Sequence, residues 1–256
     1  MKTRKPKTES KRPWALTVLF AMALPLSLSA TPMTISQKVE ADTYVSSGDP
    51  TVNFGTKGGM EIAAPTIAQS RTQETLSRFN TAAIVAAFNT NYGSGAWTIT
   101  SVTLSLSSNY STAGVQPNNS SFNKIAAGGF EFDWLSNDAW SETAITWNTL
   151  SSVLPGTGTN ALASLGSFYW SADGSATQNW TLDLASNLVT DINNGGEVSI
   201  LGQPTTNSTI GYLFNTLNNG PAYLNVTADV VPEPSTSFMA LAGAGMMGAL
   251  RFRKKA

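Results

Sequence analysis

Six short stretches of this chain alternate apolar and polar residues, a pattern that a helix cannot use. They are Ala41–Val45, Ile99–Leu106, Ala144–Trp147, Trp180–Leu184, Val198–Leu201 and Ala222–Val226. In a strand successive side chains leave opposite faces, so a period of two buries one face and leaves the other to water. Clusters of Gly, Asn, Asp and Pro separate the stretches, as turns between strands require. Two other segments, Thr81–Phe88 and Leu184–Ile192, repeat their apolar residues at three and four and are expected to be helical. The balance predicts an all-β chain, an antiparallel β-sandwich of the jelly-roll kind.

Neither end belongs to that sandwich. Met1–Arg12 carries six Lys and Arg against a single Glu9, and an apolar stretch from Trp14 to Leu28 follows, closing on small residues at Ser29 and Ala30. A basic region, an apolar region and a small-residue cut site make a secretory signal peptide, expected over residues 1–30 with cleavage after Ser29 or Ala30. The other end runs through Val231-Pro232-Glu233-Pro234, an apolar run at 238–250, and the basic cluster Arg251-Phe252-Arg253-Lys254-Lys255. Thirteen helical residues rise roughly 20 Å, short of the ~30 Å hydrocarbon core, and the basic end would stay on the cytoplasmic side. The run is expected to be a short transmembrane segment inside a processing signal at 231–256. The sandwich domain then spans 31–230, long enough for one domain with a sizeable core.

This tail resembles the PEP-CTERM sorting signal of bacteria that produce exopolysaccharides. The resemblance implies recognition of Pro232-Glu233-Pro234 by an exosortase, a membrane-embedded processing enzyme, and removal of the tail. It also implies a precursor held in the inner membrane and a product at the cell surface or in the extracellular matrix.

Setting the ends aside changes the charge. The whole chain is formally −1, but ten of its fifteen cations lie in the two ends. The remainder keeps Lys38, Lys57, Arg71, Arg78 and Lys124 against fourteen acids, a net −9. Five scattered cations cannot follow a phosphate track, so nucleic acid is excluded as a partner. Cysteine and histidine are both absent. The core therefore holds without disulfides, and the chain has neither a Ser-His-Asp triad nor a His-rich zinc site.

A second resemblance lies within the domain. Val39-Glu40-Ala41-Asp42-Thr43-Tyr44-Val45 followed by Asp49-Pro50-Thr51-Val52-Asn53-Phe54-Gly55-Thr56 looks like the start of the DNRLRE-domain family, itself similar to a group of alginate-binding carbohydrate-binding modules. Leu76-Ser77-Arg78-Phe79-Asn80, Ile99–Leu106, Trp140-Ser141-Glu142-Thr143-Ala144-Ile145-Thr146-Trp147-Asn148 and Pro221–Val226 follow in the family's order. Two features depart from its pattern: Ser105 stands where a basic residue is usual, and basic residues are scarce throughout. The resemblance implies a β-sandwich with a carbohydrate ligand.

Candidate binding residues come from the aromatic and acidic side chains. An exposed ring can stack on the C–H face of a sugar. Trp147 and Trp180 alternate with polar neighbours and are expected in the core. Trp134, Tyr169 and Trp170 lie in turn-rich surroundings and are the expected carbohydrate-binding residues. Asp42, Asp49 and Glu142 offer the hard oxygen ligands that Ca²⁺ takes, although no EF-hand spacing is present. No pair of carboxylates is singled out for glycoside hydrolysis. The sequence therefore reads as an exported, exosortase-sorted, non-catalytic surface or matrix protein, with extracellular polysaccharide as partner. Its rivals are an adhesive protein that binds no sugar and, behind it, a polysaccharide-degrading enzyme.

Overall fold

A computed structural model describes residues 31–65, 70–107, 126–156, 160–172, 177–217, 220 and 222–231, which form one compact unit. The expected signal peptide at 1–30, the Pro232-Glu233-Pro234 motif and the apolar run at 238–250 lie outside the described residues. Among the described residues no helix is long and apolar enough to cross a membrane.

Eleven strands and three short helices make up the described unit. In order they are β1 (Met33–Lys38), β2 (Ala41–Ser46), β3 (Gly59–Ala63), β4 (Gln73–Asn80), α1 (Ala82–Tyr92), β5 (Trp97–Ser107), β6 (Gly128–Leu135), α2 (Trp147–Leu150), β7 (Leu162–Trp170), β8 (Thr177–Leu182), α3 (Ser186–Asn193), β9 (Glu197–Pro204), β10 (Gly211–Asn215) and β11 (Tyr223–Val230). They form two antiparallel sheets, a smaller one ordered β1-β11-β5-β8 and a larger one ordered β10-β3-β4-β9-β6-β7, with β2 also paired to β4. The sandwich is as the alternation predicts. This strand order does not by itself establish a jelly roll.

Burial explains which stretches were readable. Val102, Leu104 and Leu106 of β5 and Leu224, Val226 and Ala228 of β11 enter the core between the sheets, every second residue, while their neighbours face outward. Phe130, Phe132 and Trp134 of β6 enter the same core from the larger sheet. The larger sheet is covered on its other side as well. Ala41, Val45, Leu76, Leu135 and Leu201 form a second apolar cluster there with Trp140, Ile145, Leu150 and Val153 from the segment after β6. That segment is a cap laid over the sheet.

One expected strand is corrected. Residues 144–147 form no strand: Ala144 and Ile145 donate to the Ser141 carbonyl, and Trp147 begins α2. Thr146 and Thr149 cap each other reciprocally, with the Thr146 amide donating to Thr149 Oγ1 at 2.9 Å. Such a Thr-x-x-Thr box satisfies amides that open a helical turn, and it outweighs a four-residue alternation. Trp147 is accordingly only half-buried, packed at the margin of the cap cluster, and Trp180 is half-buried against the main core. Both expected helices are present, as α1 and α3.

Candidate functional site

The cap is held by two polar side chains whose hydrogen bonds explain its shape. Arg78 projects from β4 under the cap, and its Nη1 donates to the carbonyls of Asp138 at 2.6 Å and Trp140 at 2.9 Å. Its guanidinium also lies 5.2 Å from the centre of the Trp140 ring, while Nε approaches Glu197 at 3.5 Å. A planar guanidinium can stack and donate at once, which a lysine cannot do. Trp140 Nε1 donates to Ser199 Oγ on β9. On the other side Asn53 Nδ2 donates to the carbonyls of Glu142 and Ile145, both at 2.8 Å, and the Asn148 amide donates to the Pro50 carbonyl. Gly55 is required at this approach, because a Cβ there would run into the Glu142 carbonyl.

So anchored, the cap encloses an open cavity of about 330 Å³ on its outer side. Trp140, Ile145 and Val153 supply its apolar floor, and Asn137, Ser141, Thr149 and Ser152 supply its polar groups. No ionisable side chain lines it. The polar groups are already oriented: Asn137 Oδ1 accepts from the Ala139 amide, and Ser152 Oγ donates to the Thr149 carbonyl. A concave site with an apolar floor and fixed uncharged polar groups matches a small neutral polyol better than an ion.

The expected stacking residues are not brought together. Trp134 is 7% exposed and its Nε1 donates to Asp191 of α3 at 2.7 Å. Trp170 is 2% exposed, packed tilted against Tyr212 at 4.5 Å between centroids. The two lie towards opposite ends of the β6–β7 ladder, where Gly128 faces Trp170 and Trp134 faces Ala163. Both are core rings and neither lines the cap cavity, which corrects the expectation for both. Their turn-like sequence neighbours misled: Phe130, Phe132 and Trp134 recur at every second residue, a core signal. Tyr169 is 68% exposed and remains an accessible ring, distant in the ladder from Trp134.

The acidic candidates separate in the same way. Asp49 forms an ion pair with Arg71 at 2.8 Å and is not grouped with the other two. Among the described residues no three Asp, Glu, His or Cys side chains are placed to share a metal, so the expected trio is corrected. Asp42 is 1% exposed, and its Oδ2 accepts from the Leu217 amide at 2.7 Å. Burial, offset in part by that bond and reinforced by the charge of nearby Glu142, pushes its carboxyl up to about 7. Glu61 is pushed up to about 8 by burial, with Arg71 opposing, and Glu74 up to about 7 by burial. Sequence reasoning missed a further group on the larger sheet: Gln203 Nε2 donates to Glu131 at 3.0 Å and Asp133 at 2.8 Å. Burial raises both carboxyls, and the shared amide opposes the rise.

Comparison with known proteins adds one match. Residues 230–255 match the model of the PEP-CTERM protein-sorting motif, which begins at the last residue of β11. The tail is thus the signal of an exported, membrane-anchored precursor processed by exosortase. The resemblance of the preceding domain to the DNRLRE family is supported by no family match. No curated protein matches the chain.

Proposed function

We propose that this chain is a non-catalytic protein of the bacterial surface or extracellular matrix, whose sandwich binds uncharged carbohydrate through the cavity in its cap. The sorting motif at 230–255 supports export and processing. The cavity carries the carbohydrate reading: it sets an apolar floor of Trp140, Ile145 and Val153 beside hydroxyl and amide groups, and no ionisable side chain lines it. A sugar ring has the same two sides, C–H groups for the floor and hydroxyls for the polar lining. The non-catalytic part of the reading draws support from the same lining, which offers neither acid nor base to a glycosidic bond.

Affinity electrophoresis of the full chain through gels containing neutral or acidic polysaccharides tests the proposal. The expected result is retardation by a neutral glycan that Ala144→Trp abolishes, since Ala144 is exposed and lines the cavity. Retardation that survives this variant would move the binding surface elsewhere. Retardation by no glycan would favour the adhesive reading, and release of new reducing ends would favour the enzyme.

A further inference from the structure

The strand that leads into the sorting signal has one open side. Among the described residues β11 is paired with β1 only as far as Ala228, opposite Met33. Its pairing with β5 continues, through Asp229 opposite Thr98 and Val230 opposite Trp97. The Val231 amide carries this ladder one step further, donating to the Ala96 carbonyl at 2.8 Å. The Thr31 carbonyl, which would face Val230 if β1 went on, accepts instead from the Tyr92 hydroxyl at 2.8 Å. Successive amides of a strand point to opposite sides. With Val231 N–H directed at β5, Val230 N–H is directed at the side that β1 leaves open. Its acceptor there is local, Asp229 Oδ1 at 2.7 Å. Strand β5 backs this end firmly, since Trp97 Nε1 donates to Asn89 of α1 at 2.9 Å and its ring packs against Phe88 at 5.0 Å between centroids.

The sorting-motif match begins at Val230, on this edge, so part of the signal lies within the fold. Pro232 follows the last hydrogen-bonded residue without a gap. An enzyme that takes Pro232-Glu233-Pro234 therefore meets Val230 and Val231 as a strand already extended. We infer that the exosortase captures residues 229–231 by adding an extended segment of its own along the side that β1 leaves open. Strand addition draws affinity from main-chain hydrogen bonds, and an edge whose shape is set in advance lowers the ordering cost. Val230 N–H is the donor that the incoming strand uses, and the Asp229 carboxylate is the group it displaces. The segments around this edge, 31–36, 89–100 and 225–231, hold Asp229 as their one acid and no Lys or Arg, so the approach avoids most of the domain's net −9. The inference rests on the sorting signal and is independent of the carbohydrate cavity.

Processing of the full chain in cells that carry an exosortase, followed as precursor and product on immunoblots after a pulse of synthesis, tests the inference. A flexible spacer of about four Gly and Ser residues between Val231 and Pro232 keeps edge and motif intact but separates them by roughly 10 Å. It should slow processing severalfold while leaving the melting temperature of the purified precursor unchanged. Val230→Pro removes the edge donor and spares the Val231 bond to Ala96, and should slow processing about fivefold, the worth of one main-chain hydrogen bond. Val230→Ala keeps the amide and should be processed at the wild-type rate. A photoreactive side chain at exposed Pro32, next to the edge, should cross-link to the enzyme. Wild-type or faster processing of the spacer variant would overturn the inference, faster processing meaning that the folded edge obstructs the enzyme. So would Val230→Pro at the wild-type rate, or a cross-link joining two copies of this chain in place of the enzyme. A wild-type chain that keeps its tail throughout would overturn processing at the motif as well.

Discussion

Asp42→Asn should stabilise the protein in alkaline buffer and do nothing at low pH. The carboxyl is 1% exposed and its pKa is raised from 3.8 to about 7. A raised carboxyl pKa means that the folded state holds the proton more tightly than the unfolded chain. Above about pH 8 the group is ionised in both states, and the full cost of burying the charge falls on the folded protein. As pH falls through 7 the folded state takes up its proton and the cost shrinks, vanishing near 3.8, where the unfolded chain protonates too. About three pKa units at 1.36 kcal/mol each give roughly 4 kcal/mol as the upper limit of that cost. Asparagine keeps an oxygen for the Leu217 amide and places an N–H₂ where Oδ1 now has no partner. It carries no charge at any pH. Melts followed by near-ultraviolet circular dichroism should show the variant more stable at pH 8.5, by at most about 8–16 °C, taking 2–4 °C per kcal/mol for a domain of this size. The gap should close by about pH 4. A variant less stable than wild type at pH 8.5, or a gap that does not change with pH, would refute the reasoning.

Glu61→Gln should behave similarly, its gain growing from about pH 4.5 and complete above about pH 8 in the same melts, since Glu61 Oε2 is buried without a partner. Trp140→Ala should cost roughly 3–5 kcal/mol by denaturant titration, because it empties the cap cluster and removes the Ser199 bond and the Arg78 stack, whereas half-buried Trp147→Ala should cost less than half as much. Arg78→Lys should loosen the cap, seen as faster amide exchange at 137–150, because one ammonium cannot replace two carbonyl bonds and a stacked plane. Replacing Pro232-Glu233-Pro234 with alanines should leave full-size precursor in the membrane fraction on immunoblots; product of wild-type size outside the cell would oppose processing at this motif.

How much of this was legible depended on how many faces each element buries. Strands β5 and β11 have one wet face, so their alternation was plain. Strands β3 and β10 are buried almost throughout, with sequences such as Met60-Glu61-Ile62 and Tyr212-Leu213-Phe214 that carry no clean period. Helices α1 and α3 announced themselves by their spacing. The four residues at 144–147 were too few for alternation to outweigh a Thr-x-x-Thr cap. The cavity arises largely within one stretch, 137–153, which the sequence marked as specific through its Trp-Ser-Glu-Thr run but could not mark as concave. Asp49 misled because closeness in sequence to Asp42 does not survive the turn that gives it to Arg71.

The disposition of the few cations bears on what glycan such a domain would meet. Arg71 is committed to Asp49, and Arg78 lies beneath the cap, donating to two carbonyls and facing Trp140. Among the described residues only Lys38 and Lys57 remain as other cations, and Lys38 already acts on Asp42. A chain of uronic acids brought to the domain would face a net −9 with almost no free positive charge to answer it. At ~0.15 M ionic strength the screening length of about 8 Å leaves that repulsion intact at contact distances. An uncharged polysaccharide meets no such barrier, and the cavity in the cap has no charge to desolvate. The arginine of the Leu76–Asn80 stretch is the fastener of the cap. Its role is to shape the cavity rather than to touch what enters it.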